Sequence, residues 1–181
     1  MLERAIREYA GEKGFRQETL DRWVRLKEDE AQALLELARE FKLGENHFRD
    51  FMDWLEEIAL RDGKSLREVL QAEPIASIRT DPRLGRNDKL KRVKEEVRRR
   101  RFPRLARIQD EIQKRIRELK LNPKLQISVS ASLEGSDVTI QFKAVTLDEL
   151  RRRIRELEEI VEKEATKEIF TLLRGEGDAG I

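Results

Sequence analysis

The stretch KLQISVSASLEGSDVTIQFKAVTLDEL, residues 124–150, decides the fold class because its hydrophobic period is two, whereas the period of the flanking sequence is close to 3.6. Apolar and polar residues alternate over 125–132 and again over 138–144, on either side of a glycine-containing turn. This alternation predicts an antiparallel β-hairpin. Thr146 follows with Glu149 three residues later, the spacing of a helix N-cap.

Helical periodicity flanks the hairpin on both sides. Upstream, Pro103 is expected either to kink a helix or to begin a new one, and apolar residues then recur every three or four positions as far as Leu119. Downstream, one apolar stripe runs from Leu147 to Val161. The sequence therefore predicts a mostly helical α+β protein, with an N-terminal helical module and a C-terminal α-β-β-α unit.

Prolines and glycines that interrupt the helical periodicity predict where the domains begin and end. Residues 1–71 carry helical periodicity and are expected to fold as a helical module. Pro74, Pro82 and Gly85 interrupt an aperiodic stretch, so residues 72–88 are expected to form a linker. The Arg-rich helix and the α-β-β-α unit would then occupy residues 89–174, and residues 175–181 would form a disordered tail.

Two interpretations of the N-terminal module stay open. Ala38, Gly44 and Phe51 suggest a divergent helix-turn-helix, although Glu40 stands where that motif usually has a small residue four positions before the turn glycine. The other interpretation is an ordinary helical hairpin packed by its aromatic side chains. In either case Gly44 is expected to end the first helix in left-handed geometry.

Composition excludes several classes of site. The chain has no cysteine, which excludes disulfides and thiolate metal sites, and its single histidine, His47, cannot build a histidine metal site alone. No nucleophile with a paired base and no phosphate-binding loop is recognisable. We therefore expect a protein without catalytic residues, metal or cofactor.

No apolar run approaches the roughly 18 residues of a membrane span, and the N-terminus lacks the apolar core of a signal peptide. We expect a cytoplasmic protein with no membrane partner. The abundance of Glu, Lys and Arg also resembles thermophile composition.

Positive charge is concentrated in one block. Residues 79–107 contain thirteen Lys or Arg against four acids, a net charge of +9 in a chain whose total is +2. Such a block is typical of a protein that binds phosphate backbones, although a solvated helix face is the alternative. The candidate phosphate ligands are Arg92, Lys94, Arg98, Arg99, Arg100, Arg101, Arg104 and Arg107.

The hairpin predicts self-association. A two-stranded hairpin exposes two unpaired edges, and pairing of two hairpins across a two-fold axis would give a four-stranded sheet. We expect a homodimer on this ground. The predicted dimer interface consists of Ile127, Val129, Ile140, Phe142, Leu150, Ile154 and Leu157.

The order of elements over residues 104–164 resembles the C-terminal dimerisation domain of ParB chromosome-partition proteins. A charged helix, the two strand segments and the opening Thr146-Leu147-Asp148-Glu149-Leu150 are similar to that family's I-x-I-x-F strand followed by S-x-E-E-L. The resemblance implies dimerisation through the sheet and final helix, and DNA binding without sequence preference.

Two features of this chain depart from the family. Residues 1–78 contain no counterpart of its G-x-x-R-R nucleotide-binding motif, so binding of CTP does not carry over. The family's lysine patch on the strands is also missing, since only Lys124 and Lys143 flank or lie in the hairpin. Any DNA contact is then expected at residues 98–107.

Two functions remain open from the sequence. The first is a dimeric nucleic-acid-binding protein, with DNA preferred to RNA, that grips phosphates through the Arg-rich helix. The second is an adaptor whose apolar helix seam and hairpin edge dock on another protein chain, the arginines pairing with acids on a neighbour.

Overall fold

The computed structural model describes residues 1–130, 133 and 137–175, and within them it confirms a mostly helical protein with one antiparallel hairpin. The helices are Leu2–Lys13 (α1), Gln17–Val24 (α2), Glu28–Phe41 (α3), Glu45–Asp62 (α4), Leu66–Gln71 (α5), Ile75–Thr80 (α6), Arg86–Arg101 (α7), Pro103–Glu118 (α8), Leu147–Val161 (α9) and Glu164–Leu173 (α10), and the strands are Leu125–Val129 (β1) and Val138–Phe142 (β2). No helix in the described part of the chain is long and apolar enough to cross a membrane.

The chain divides into two compact units, Met1–Phe102 and Pro103–Ile181. Unit 1 contains α1 to α7, and unit 2 contains α8, the hairpin, α9 and α10. Pro103 is the first residue of α8, so the second of the two expectations for this proline, a new helix, is correct.

Unit 1 is built on buried aromatic side chains. Trp23, Phe48 and Phe51 are fully buried, and the ring centroids of Trp23 and Phe48 lie 4.2 Å apart. The Tyr9 hydroxyl donates to the carbonyl oxygen of Ala38 at 2.8 Å, which fixes α1 against the end of α3. Aromatic contacts of this kind give a helical module a single well-defined core.

Local signals set some helix ends in unit 1, and one prediction needs correction. Ser65 and Glu68 form a capping box at the start of α5. Gly44, expected in left-handed geometry, is instead the extended N-cap of α4 at φ −80°. Lys42 takes the left-handed conformation at φ 53° and ends α3 two residues earlier.

The predicted boundary at residues 72–88 differs from the one in the structure. This segment contains α6, whose Ile75 is fully buried in the core of unit 1. Val93 and Val97 of α7 are buried in the same core, so α7 belongs to unit 1 and not to the α-β-β-α unit. Two apolar residues one helical turn apart anchor a helix whose remaining surface is almost entirely charged.

In unit 2, the hairpin pairs apolar residues directly across its strands. Leu125 lies opposite Phe142, Ile127 opposite Ile140, and Val129 opposite Val138, so all six side chains share one face. The strands are shorter than predicted, since β2 ends at Phe142. Parts of two predictions lie outside the described residues: the end of the first strand with the turn (131–132 and 134–136), and the tail after Gly175.

The core of unit 2 is small. Its buried apolar side chains are Ile112, Leu119, Leu125, Ile160 and Ile169. α10, which was not predicted from the sequence, packs against α8 and supplies Ile169. Ile127, Val129 and Phe142, predicted as dimer contacts, are partly buried against this core within one chain.

Candidate interaction surfaces

The basic helix α7 lies against α4 through two matched ion pairs. Lys94 donates to the carboxylate of Asp50 at 2.6 Å, and Arg101 grips Glu57 through two hydrogen bonds, one of 2.8 Å from Nη2 to Oε1. Lys94 and Arg101 are seven residues apart on α7, as are Asp50 and Glu57 on α4, and this spacing is about two helical turns. Trp54 lies between them on α4. The two helices are therefore joined by a charged seam.

Trp54 contributes an aromatic face to this seam. The Lys94 ammonium lies 5.4 Å from the Trp54 ring centroid and the Arg101 guanidinium 5.9 Å from it, both within the range of a cation–π interaction. Lys94 Nζ also lies 3.0 Å from Nδ1 of His47. The chain's single histidine is thus a neighbour of an ion pair at the start of α4.

Two further arginines of α7 pair with acids on the same helix. Arg98 donates to Glu95 at 3.2 Å and Arg100 to Glu96 at 3.3 Å. Arg100 also donates to the backbone carbonyl of Glu73. Much of the charge that suggested a phosphate grip is therefore held in contacts within unit 1.

The C-terminal end of α7 is capped by a residue of α4. Arg61 donates to the carbonyl oxygens of Arg100 at 2.8 Å and Arg101 at 3.3 Å. These carbonyls have no partner within a helix, and a cation there also complements the helix dipole. Hydrogen bonds from Arg61 therefore fix the backbone at the end of the run of four arginines.

The other predicted phosphate ligands divide between the two units. Arg99 of α7 and Arg104 of α8 each make interactions within the chain. Arg92 on α7 and Arg107 on α8 are exposed, and neither hydrogen-bonds nor ion-pairs with another described residue. The structure therefore places six of the eight residues on α7 in unit 1 and two on α8 in unit 2.

The acids that hold α7 were missed by the sequence reading. Neither Asp50 nor Glu57 was predicted to pair with the basic block. A signal was present in the charge totals: residues 1–78 carry 18 acids against 13 basic residues, and the basic block follows directly. Opposite net charges in adjacent segments favour pairing between them.

The second surface is on α9, where burial is reversed. Arg153 is only 5% exposed, whereas Leu147 is 60% and Val161 53% exposed on the same helix. Leu150 and Ile154 are also exposed. Burial normally selects apolar side chains and leaves charges in water. We define the α9 stripe as Leu147, Leu150, Ile154 and Val161.

Arg153 is accommodated in unit 2 by one acid. Its Nη1 donates to Glu156 one turn along the helix, at 2.7 Å to Oε1, while its Nε has no hydrogen-bond partner among the described residues. A buried guanidinium with an unpaired nitrogen is a costly arrangement. It persists here while four apolar side chains of α9 remain in solvent.

The start of α9 is joined to the hairpin. Thr146 is the N-cap and its hydroxyl accepts from the backbone N–H of Glu149 at 3.1 Å, as predicted. The Glu149 carboxylate accepts from Lys124 at 2.6 Å and from the backbone N–H of Val145 at 2.9 Å. The hydrogen bond from Lys124, with that from Val145, lowers the pKa of Glu149 to about 2.

The apolar face of the hairpin is open at one position. Ile140 is 42% exposed and lies outside the core of unit 2, although its neighbours Val138 and Phe142 pack against that core. The sheet has two strands within the described residues, so each strand has one edge without a strand partner. The seven predicted dimer residues thus divide into those packed within the chain (Ile127, Val129, Phe142, Leu157) and those exposed (Ile140, Leu150, Ile154).

In the part of the chain that the structure describes, no group of three or more His, Cys, Asp or Glu residues could hold a metal ion. Comparison of the chain with protein-family models, with curated proteins and with solved structures found no match. The resemblance to ParB therefore stays a prediction from the sequence.

Proposed function

We propose that this chain is a non-catalytic assembly protein that works as a dimer. Residues 103–175 would associate with a second copy, and residues 1–102 would be the helical module that each copy contributes. The observation that carries this proposal is the reversed burial of α9, with Arg153 inside and the α9 stripe in solvent. An exposed apolar stripe beside an incompletely buried core is typical of an association surface.

Sedimentation of the full chain at tens of micromolar tests this function. We expect a dimer for the wild type and a monomer for Ile154→Asp, because an uncovered carboxylate cannot enter an apolar interface without a large desolvation cost. The matched control is Leu60→Asp, which also replaces an aliphatic side chain by Asp, at a position of unit 1 that is 87% exposed. It should leave the dimer intact.

Two results would reject the proposal. A wild-type monomer would remove the dimer itself. A dimer that survives Ile154→Asp would mean that association uses another surface, with the free hairpin edges as the alternative that the sequence predicts. Circular dichroism of each variant would show that loss of the dimer does not come from loss of helix.

Nucleic-acid binding is the second candidate function. It is supported by the +9 block and by exposed cations on α7 and α8 that neither hydrogen-bond nor ion-pair with another described residue, Arg92 and Arg107. If six to ten phosphates are neutralised per dimer, affinity for duplex DNA should fall about 10³- to 10⁵-fold between 50 and 200 mM salt. Several arginines of α7 are already paired within unit 1, so fewer phosphates would be neutralised and the fall in affinity would be smaller than this.

A titration of duplex DNA at those two salt concentrations separates the candidates. Charge reversal at Arg92 and Arg107 should weaken binding uniformly across sequences if these residues contact phosphates. Reversal at Arg99 and Arg100 is the comparison, since both already make interactions within the chain. Undetectable binding, or binding without salt dependence, would leave assembly as the function.

A further inference from the structure

The charges on α9 are segregated along the helix. After the first turn, which carries Asp148 and Glu149, come Arg151, Arg152, Arg153 and Arg155, and then Glu156, Glu158, Glu159 and the C-cap Glu162. Residues 151–162 therefore have a basic half and an acidic half. Orientation in a helix pair is commonly decided by such flanking charges, because like charges that face each other oppose association.

Four of these charges flank the α9 stripe directly. Arg151, Arg155, Glu158 and Glu162 recur at spacings of four, three and four, so they form a second, charged stripe beside the apolar one. All four are exposed. Arg151 contacts Asp148 at 3.3 Å, and the other three have neither a hydrogen bond nor an ion pair to another described residue.

We propose that the α9 stripe pairs with the same stripe of a second copy in the antiparallel direction, an inference that rests on the proposed dimer. The apolar residues Leu147, Leu150, Ile154, Leu157 and Val161 recur at spacings of three and four, as in a coiled-coil seam. A two-fold axis near the middle of α9 makes the contact isologous and closes the assembly at two copies.

Charge complementarity selects the antiparallel direction. In that direction Arg151 approaches the partner's Glu162 and Arg155 approaches the partner's Glu158, and the two-fold axis repeats both pairs. In the parallel direction a two-fold axis places the charged stripes of the two copies on opposite sides of the apolar seam. None of these four attractive contacts would then form.

Charge reversal tests the direction. Reversing the basic half (Arg151→Glu with Arg155→Glu) should weaken the dimer about 10- to 100-fold, since four exposed pairs of a few tenths to 1 kcal/mol each become repulsive. Reversing the acidic half (Glu158→Arg with Glu162→Arg) should do the same. The four-fold swap that reverses both halves should restore the wild-type dissociation constant.

Mixing sharpens this test. Wild type and the four-fold swap should each form homodimers and should not exchange subunits, because the antiparallel mixed pair brings like charges together. A parallel pair would show a different result, with half-reversals that change little and with mixed dimers that form as readily as homodimers. Either parallel outcome would overturn the proposal while leaving the dimer itself in place.

Cross-linking gives an independent readout, because the chain has no cysteine of its own. Arg151→Cys and Glu162→Cys stand eleven residues apart, about 16 Å along a helix. With a short bismaleimide, a mixture of the two variants should form a heterodimeric cross-link and neither variant should cross-link alone. A dimer that persists without the heterodimeric cross-link would refute the proposal.

The matched control is Arg152→Glu. Arg152 is exposed on the same helix, on the side opposite the α9 stripe, so the same charge reversal there should leave the dissociation constant within about threefold. An equal loss from Arg152→Glu and from the basic-half reversal would mean that net charge, and not facing pairs, controls association. That result would also overturn the antiparallel arrangement.

Discussion

The two units of this chain use the same residue types in opposite ways. Unit 1 buries its apolar side chains around Trp23, Phe48 and Phe51 and pairs the charges of α7 with its own acids. The core cluster of unit 2 has five buried apolar side chains among the described residues, and this unit leaves the α9 stripe in solvent while burying Arg153. The difference teaches that a unit which cannot cover its own apolar surface is the part to examine for association.

Of the changes that compare the two units, truncation should have the largest effect on folding. A fragment of residues 1–102 should show a cooperative thermal transition by circular dichroism, because it contains every element of unit 1. A fragment of residues 1–71 should lose that transition, since it lacks Ile75, Val93 and Val97, which are fully buried in the core. A cooperative 1–71 fragment would instead support the boundary expected from the sequence.

Alanine substitution compares the cores directly. Phe48→Ala removes a fully buried ring and should lower the free energy of unfolding by about 3–5 kcal/mol. Phe142→Ala should cost less, because Phe142 is only partly buried in unit 2. Both tryptophans, Trp23 and Trp54, are in unit 1, so tryptophan fluorescence should follow only the first substitution.

Circular dichroism is needed for the second variant, because unit 2 contains no tryptophan. If Phe48→Ala and Phe142→Ala lower the free energy of unfolding equally, Phe142 is buried more completely in solution than it is within a single chain. Association would then be the explanation, and the loss at Phe142 should depend on protein concentration.

Local sequence signals were sufficient where the structure is decided locally. The period-two alternation predicted both strands, and Thr146 with Glu149 predicted the start of α9, because a cap requires only residues three positions apart. The alternation also predicted which hairpin residues share a face. Such features depend on neighbours along the chain and not on the tertiary fold.

Tertiary packing decided what the sequence reading missed. Pro74 and Pro82 resemble linker residues, but Ile75 between them is fully buried in a core to which residues from Ile6 to Val97 contribute. Likewise, the partners of Lys94 and Arg101 lie more than forty residues away in sequence. No local pattern specifies which acid a given arginine pairs with. A basic block in the sequence therefore could not distinguish a phosphate-binding surface from a set of ion pairs between helices.

A smaller effect is expected at that seam. In a double-mutant cycle of Glu57→Ala and Arg101→Ala, we expect a coupling free energy of about 0.2–1 kcal/mol, the usual range for partly exposed ion pairs. Arg101→Ala alone should cost more than this coupling, because the guanidinium also contacts the ring of Phe102 at 4.8 Å. Urea unfolding followed by tryptophan fluorescence gives the free energy of unfolding of the wild type, the two single variants and the double variant.

The salt dependence of that cycle tells whether the seam is electrostatic. Coupling between partly exposed charges should decline as salt is raised, since the Debye length falls from about 10 Å at 0.1 M to about 3 Å at 1 M. Coupling that is zero at low salt would indicate that Arg101 is free for another partner. The nucleic-acid candidate would then gain support over an internal role for this residue.

The smallest expected effect is the acid dependence of unit 2 at Glu149. Its pKa is lowered from an ordinary 4.5 to about 2, first by the hydrogen bond from Lys124 and then by the N–H of Val145. A carboxyl group with a lowered pKa in the folded state stabilises that state above its ordinary pKa. The contribution should therefore be complete above pH 4.5 and be lost as the pH falls from 4.5 towards 2.

Hydrogen exchange of the β1 and β2 amides in the wild type and in Glu149→Gln measures this contribution where it acts. The wild-type hairpin should be better protected near neutral pH, and the difference should shrink between pH 4.5 and 2. Lys124→Met is the matched control, because it removes the largest cause of the lowered pKa and keeps the carboxylate. If the difference between wild type and Glu149→Gln stays constant over that range, Glu149 does not join α9 to the hairpin through its charge, and the apolar contacts of Leu157 and Ile160 with the core of unit 2 then hold α9 in place.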